Sequence, residues 1–221
     1  MLSYLELAKF LAQGSHKVSF VSTHRNIQRL PKPPPQLSLF VDFVKLALPR
    51  VEEIPANAEA TMGVRSEDIH YLKKAYDGLA AELAQFLRSY CADWILHDFA
   101  SHWLPPITAE LGIPTAFLSI AAAWFPAFLG SSSMLLNGSD PWSKPEDFTV
   151  PPECVRFPTK IVFRPFEIKR LFSAGGKNAS GVWDPYRVGR RLPGATFSRC
   201  GSVQKSNPNG WTCWEKCPTN P

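Results

Sequence analysis

The sequence lacks a long apolar run. Its most apolar segment, Ala116 to Gly130, is shorter than the roughly 18 residues that a membrane-spanning helix needs, and it contains Pro126. The first ten residues, MLSYLELAKF, include an acidic residue and have no apolar core typical of a signal peptide. These absences predict a soluble, cytoplasmic protein with no membrane partner.

Cysteine is scarce, and the count of five is odd. Cys91 and Cys154 stand alone in apolar surroundings, which favours buried thiols in a reducing compartment over a disulfide framework. Cys200, Cys213 and Cys217 have no nearby histidine, and a structural zinc site takes about four ligands. A redox motif has Cys-x-x-Cys spacing, which these residues do not show. We therefore expect no bound metal.

Basic charge is concentrated at one end of the chain. Residues 190–221 hold five basic and one acidic residue, which is a net +4 of the total +5. A basic patch spread over a fold would indicate nucleic-acid binding. Here the excess lies in a short segment that contains Pro, Gly, Ser and Asn, so a disordered end is the favoured interpretation and no nucleic-acid partner is expected.

Helix and strand patterns alternate through the first 120 residues. Apolar residues recur from Leu2 to Leu11 and predict a helix that ends at Gly14, followed by the strand HKVSFVST. A strand in FVDFVKLAL precedes an amphipathic helix predicted from about Ser66 to Tyr90. A strand, a helix and a strand follow in DWILHDF, HWLPPITAELG and IPTAFLSIAA. This order predicts an α/β fold with a Rossmann-like parallel sheet.

Two polar residues stand where such a sheet collects its ligands. Asp98 ends one predicted strand and Ser119 ends the next one. Since ligands bind at the carboxyl ends of parallel strands, both residues are candidates for a functional site. For Asp98 the alternative is a carboxylate that only caps the following helix.

Three stretches resemble the N-terminal domain of plant UDP-dependent glycosyltransferases: LELAKFLAQGSHKVSFVSTHRN, DWILHDFASHWLPPITAELGIPTAFLSI and PEDFTVPP. The branch they resemble most glycosylates flavonoids, terpenoids and saponins and includes rhamnosyltransferases. The resemblance covers about residues 1–189, with several separated motifs in the right order. It implies the acceptor-binding, N-terminal half of the two-domain GT-B fold.

The same resemblance implies an activity. Enzymes of this family transfer a hexosyl or rhamnosyl group from a UDP-sugar to a hydroxyl of a small acceptor such as a flavonoid or terpenoid. The UDP-sugar is a co-substrate that binds the second domain of an intact homologue, and no cofactor is implied.

Four residues match family positions with a role. A histidine takes the proton from the acceptor hydroxyl, and an aspartate, matched by Asp98, hydrogen-bonds the far side of its imidazole. Ser119 matches a hydroxyl residue that contacts the donor sugar. Trp124 and Phe125 match aromatic residues that line the acceptor pocket, with plain core packing as the alternative.

The catalytic histidine of the family has no match. It lies in a Gly-His pair that ends a first strand, before the residues matched by MLSYLELAKF, and none of the five histidines corresponds to it. His97 is placed by strand alternation on the face opposite Asp98. We therefore expect an incomplete domain over residues 1–189, without the first strand, the catalytic histidine and the donor-binding domain, and without transferase activity. The alternative is a non-catalytic remnant or an acceptor-binding half-domain.

Residues 190–221 do not resemble the family. We back-translated the segment and shifted the reading frame, so that the third base of each codon is read with the first two bases of the next codon. In this frame Trp211–Thr212 can encode only Asp, Cys213–Trp214 only Leu and Trp214–Glu215 only Gly. The shifted frame can encode PEWLDLLGKMSNKP, which resembles the segment that follows this point in the same glycosyltransferases. We interpret residues 190–221 as an out-of-frame, disordered tail.

Overall fold

The computed structural model describes residues 1–121, 125, 128–130, 132–137, 145–151, 155, 158–174, 178–190 and 195–200, with the backbone alone for 145, 170–174 and 195–200. The chain divides into two compact units. The first comprises Met1–Cys91 with Lys177–Val182, and the second comprises Ala92–Gly176 with Trp183–Pro221. Each unit contains its own parallel sheet.

The first unit contains a two-stranded parallel sheet of β1 (Val18–Thr23) and β2 (Val41–Leu46). Helix α1 (Leu2–Gln13) precedes β1, and α2 (His24–Gln28) follows it. The apolar face of α1 contributes Leu5, which is fully buried, to a cluster with Phe20 of β1. These elements confirm the predicted helix–strand order at the start of the chain.

The long helix predicted from Ser66 to Tyr90 is interrupted. The structure has a 3-10 turn at Ser66–Asp68, helix α3 (Ile69–Asp77) and helix α4 (Ala80–Ser89). Gly78 lies between the two helices, and a Cβ there would be only 2.9 Å from Cγ of Pro49. The prediction of one continuous helix is therefore wrong where another segment approaches the backbone closely.

The second unit contains a three-stranded parallel sheet of β3 (Ile95–His97), β4 (Thr115–Ser119) and β5 (Ala195–Cys200), in that order. Helix α5 (Leu104–Glu110) connects β3 to β4 and forms the predicted strand–helix–strand unit. Gly112 has φ +67°, a conformation that favours glycine, so it ends this helix as predicted.

The second unit also contains the α-helices α6 (Ser132–Asn137), α7 (Pro165–Ala174) and α8 (Asp184–Gly189), and a 3-10 helix at Pro145–Thr149. Its core cluster consists of buried Phe128, Phe148, Phe163 and Ile168. Phe163 meets Phe148 edge-to-face with ring centroids 5.6 Å apart. Edge-to-face pairs of this kind add about 0.5–1.5 kcal/mol to the burial of the rings.

Strand β5 lies inside the segment that the sequence predicts to be disordered. Its backbone pairs in parallel with β4, from Thr115 opposite Ala195 to Ser119 opposite Cys200. The pairing satisfies backbone groups of β4 that an open edge would leave without a strand partner. At 195–200 the structure therefore differs from the predicted disorder, while residues 201–221 lie outside the described part. Translation out of frame stays a prediction.

The described strands are all parallel and alternate with helices along the chain, which is the predicted α/β class. The sequence predicts a single sheet that lacks one strand, whereas the described strands form two smaller sheets, one of two strands and one of three. No helix in the described ranges combines the length and apolarity needed to cross a bilayer.

Candidate functional site

Asp98 directly follows β3 and is half-buried. Its Oδ1 accepts a hydrogen bond of 2.9 Å from the backbone N–H of Ala100. A side-chain oxygen that accepts the N–H two residues later forms an Asx-turn, which stabilises the chain as it leaves the strand. The carboxylate thus bonds this turn and not the first turn of α5, which begins at Leu104.

Ser119 ends β4, and only 9% of its surface is exposed. Its Oγ accepts the N–H of Ala121 at 3.2 Å and lies 3.3 Å from the carbonyl oxygen of the same residue. Because β3 and β4 are parallel, with His97 opposite Phe117, Asp98 and Ser119 leave the sheet at the same edge. Their placement at the carboxyl ends of neighbouring strands is as predicted, and their chemical roles stay predictions.

His97 is the last residue of β3 and is only 4% exposed. Its Nδ1 lies 3.0 Å from the backbone carbonyl oxygen of Asp98, and its ring packs edge-to-face on Phe117 with centroids 5.9 Å apart. Burial lowers the pKa of the imidazole, so the ring is neutral at pH 7 and Nδ1–H donates to the carbonyl. The contact is to the backbone of Asp98 and not to its carboxylate.

Arg187 of α8 is 2% exposed and reaches the turn after β3. Its Nη1 donates to the carbonyl oxygen of Ala100 at 3.0 Å and to Nδ1 of His102 at 3.0 Å. Its Nε lies 3.8 Å from Oδ1 of Asp184. Sequence reasoning missed this residue, because a single arginine in the segment DPYRVG carries no pattern that separates a buried guanidinium from an exposed one.

Of the two aromatic candidates for the acceptor pocket, only Phe125 lies within the described residues. Phe125 is half-buried and packs against the core cluster, with its ring 6.2 Å from that of Phe163. Core packing, the alternative for this residue, is therefore present, and contact with an acceptor stays a prediction. Trp124 lies outside the described residues.

Within the described ranges no group of three His, Cys, Asp or Glu side chains could hold a metal ion. Cys91 is a free, exposed cysteine. The prediction of a buried thiol is wrong for Cys91, because the chain leaves α4 at Ser89 and places the following residues on the surface. Cys154, Cys213 and Cys217 lie outside the described residues.

Curated plant proteins match most of this chain. UDP-glycosyltransferase 91D2 of Stevia rebaudiana is 45% identical over 203 residues, which are 90% of this chain and 42% of the relative. UDP-glycosyltransferase 91C1 of Arabidopsis thaliana is 44% identical over 189 residues, 86% of this chain and 41% of the relative. The chain belongs to the plant UDP-dependent glycosyltransferases. Soyasaponin III rhamnosyltransferase of Glycine max is 36% identical over 183 residues, 80% of this chain and 37% of that glycosyltransferase.

The resemblance found in the sequence is thereby confirmed, although the chain spans only about two fifths of the length of these plant glycosyltransferases. No protein-family model matches it.

Solved structures of the family share its fold. UGT89C1 of Arabidopsis thaliana complexed with UDP-L-rhamnose has a TM-score of 0.51 at 19% identity, over 58% of this chain and 35% of that chain. Phytolacca americana UGT2 complexed with UDP-2fluoro-glucose and pterostilbene has a TM-score of 0.51 at 16% identity, over 88% of this chain and 43% of that chain. The chain is part of a GT-B fold.

Proposed function

We propose that this chain is the acceptor-binding part of a glycosyltransferase that transfers a sugar from a UDP-sugar to a hydroxyl of a small plant metabolite, such as a flavonoid or terpenoid. The observation that carries the proposal is the 45% identity to a UDP-glycosyltransferase over 90% of this chain. The UDP-sugar is the co-substrate of the proposed reaction, which needs no further cofactor.

Asp98 is the orienting acid in this proposal. A carboxylate that accepts the N–H of a catalytic imidazole fixes its tautomer and stabilises the positive charge that forms as the other nitrogen takes the proton of the acceptor hydroxyl. Oδ1 of Asp98 is held by Ala100, which leaves Oδ2 for the imidazole. Ser119, at the neighbouring strand end, contacts the donor sugar, and Trp124 and Phe125 line the acceptor pocket.

A second candidate function is acceptor binding without turnover. Among the described histidines, none hydrogen-bonds the carboxylate of Asp98. His97 contacts the carbonyl oxygen of that residue, and Nδ1 of His102 is occupied by Arg187. Since general-base catalysis needs a base within hydrogen-bond reach of the acceptor hydroxyl, this arrangement favours a polypeptide that is inactive by itself.

The test is to incubate the purified 221-residue polypeptide with UDP-glucose or UDP-rhamnose and the flavonoid quercetin. Mass spectrometry detects the product, and saturation-transfer NMR detects acceptor binding. We expect binding without product. Product formation would show that the chain is active by itself, and the absence of both signals would identify a remnant that has lost the proposed function.

A further inference from the structure

The buried guanidinium of Arg187 lies next to the turn that carries Asp98. Both residues belong to the second unit, yet Arg187 is 87 residues after Ala100, its backbone partner. A buried charge is costly unless it is hydrogen-bonded and paired. Here Nη1 reaches two acceptors, and the carboxylate of Asp184 on the same helix lies 3.8 Å from Nε.

Ala100 is held from both sides. Its carbonyl oxygen accepts from Arg187, and its N–H donates to Oδ1 of Asp98. These two bonds fix the backbone of the residue that in turn orients the carboxylate. We propose that Arg187 is a positioning residue that holds the turn after β3 and thereby the orientation of Asp98. The catalytic value of this orientation rests on the proposed function of Asp98.

The guanidinium suits this position because its planar fork offers several donors in fixed directions. One nitrogen, Nη1, serves both the Ala100 carbonyl and Nδ1 of His102, which must be unprotonated in order to accept. A lysine ammonium also carries several donors, but it does not hold them in the fixed plane of a guanidinium.

Helix α8 is itself fixed close to α6. A Cβ on Gly189 would lie 3.0 Å from Cβ of Leu135 and 3.1 Å from Cγ of Leu136, closer than nine in ten real Cβ contacts. The two helices therefore approach each other at a point that only glycine fits without a shift. An added methyl group would force α8 or the two leucine side chains to shift, and we expect the shift to move α8 and, with it, Arg187.

The experiment compares Arg187→Met, Arg187→Lys and the control Arg164→Met in the full chain, with amide hydrogen exchange and the Asp98 carboxyl carbon shift as NMR readouts. Arg164 is an exposed arginine paired with Glu167. We expect the Ala100 amide to exchange about tenfold faster in Arg187→Met, which corresponds to about 1.4 kcal/mol. Arg187→Lys restores part of this protection, and Arg164→Met leaves it unchanged.

The Phe117 amide in β4 serves as the internal reference for global unfolding. Unchanged Ala100 exchange and an unchanged Asp98 shift in a folded Arg187→Met chain would overturn the proposal. If that variant does not fold, Gly189→Ala is the second test. We expect its exchange rate to rise more, relative to the wild type, at Ala100 than at Phe117. An equal rise at both amides would contradict the proposal. Neither readout depends on the acceptor, so a chain that fails to bind the acceptor would count against the proposed function alone.

Discussion

Asn178 donates a hydrogen bond of 3.0 Å from Nδ2 to Oδ2 of Asp77 and thereby joins its loop to the end of α3. Its Oδ1 accepts the backbone N–H groups of Ser180 and Val182, and Oγ of Ser180 donates to the same Asp77 oxygen at 2.9 Å. In the sequence, Asn178-Ala-Ser180 matches a glycosylation sequon. In the structure Asn178 is only 5% exposed, and the side chains of Asn178 and Ser180 both form internal hydrogen bonds.

Replacement of Asn178 by alanine should therefore destabilise the first unit. Three hydrogen bonds disappear and two backbone N–H groups lose their acceptor, so we expect the free energy of unfolding to fall by about 1–3 kcal/mol. Urea denaturation measures the change. The matched control is Asn137→Ala in a second sequon of the sequence, Asn137-Gly-Ser139, where the asparagine is exposed and the change should stay within about 0.5 kcal/mol. Equal losses in the two variants would contradict this account.

His97 should make the second unit sensitive to mild acid. Burial lowers its pKa in the folded chain below the value of about 6.5 expected in the unfolded chain. As the pH falls, the unfolded state takes up the proton first. The contribution of His97 to stability is therefore complete above about pH 6.5 and is lost as the pH falls from there towards the folded pKa.

The urea midpoint measured between about pH 7.5 and pH 5, above the range where most carboxylates titrate, tests this sign. We expect the midpoint to fall with pH in the wild type and to fall less in His97→Phe, which keeps a ring against Phe117 but cannot be protonated. His16→Phe, at an exposed position, should retain the wild-type slope. A slope that His97→Phe leaves unchanged would assign the acid sensitivity to other groups.

Two substitutions at Asp98 separate its structural contribution from its charge. Asp98→Asn keeps an oxygen that can accept the Ala100 N–H, so we expect its free energy of unfolding to stay within about 0.5 kcal/mol of the wild type. Asp98→Ala removes the acceptor and should cost roughly 1 kcal/mol, as lost caps of this kind do. Thermal or urea unfolding of both variants provides the measurement. A large loss in Asp98→Asn would mean that the negative charge itself holds the turn.

Local periodicity was sufficient to predict much of the secondary structure. Helix α1, strands β1 to β4 and the end of α5 at Gly112 follow from apolar spacing and glycine, because these signals lie within each segment. The break between α3 and α4 does not follow from local signals, because it lies where Gly78 closely approaches Pro49, a residue distant in the sequence.

Gly78→Ala tests the importance of that contact. Alanine favours helix by about 1 kcal/mol over glycine, so a helix without tertiary contacts would gain stability. Here the new Cβ would lie 2.9 Å from the Pro49 ring, and we expect the strain to outweigh the gain and to lower the urea midpoint. Gly63→Ala is the control, because its Cβ would meet Ala58 at ordinary contact distances of 3.5 Å and more. A rise in the midpoint of Gly78→Ala would show that Pro49 yields easily.

The candidate site divides in the same way. The location of Asp98 and Ser119 at one sheet edge was predictable, because the carboxyl ends of parallel strands share an edge. The buried Arg187 and its contact with Ala100 join segments 87 residues apart, and no spacing rule in a single sequence connects them. The exposure of Cys91 likewise depends on where α4 ends and not on the apolar residues beside it.

The last prediction concerns the reading frame of residues 190–221. Sequencing of the full-length transcript should show a frame after Gly189 that encodes a segment beginning like PEWLDLLG, because Trp211–Thr212 and Trp214–Glu215 leave no freedom in the shifted codons. Peptide mass spectrometry of the source tissue is an independent check. If both methods instead return GWTCWEKCPTNP, the frame interpretation is wrong, and β5 is a strand of the natural product. Truncation after Arg190 would then leave β4 without the parallel partner that now pairs with Thr115 to Ser119, and it should lower the thermal midpoint of the second unit.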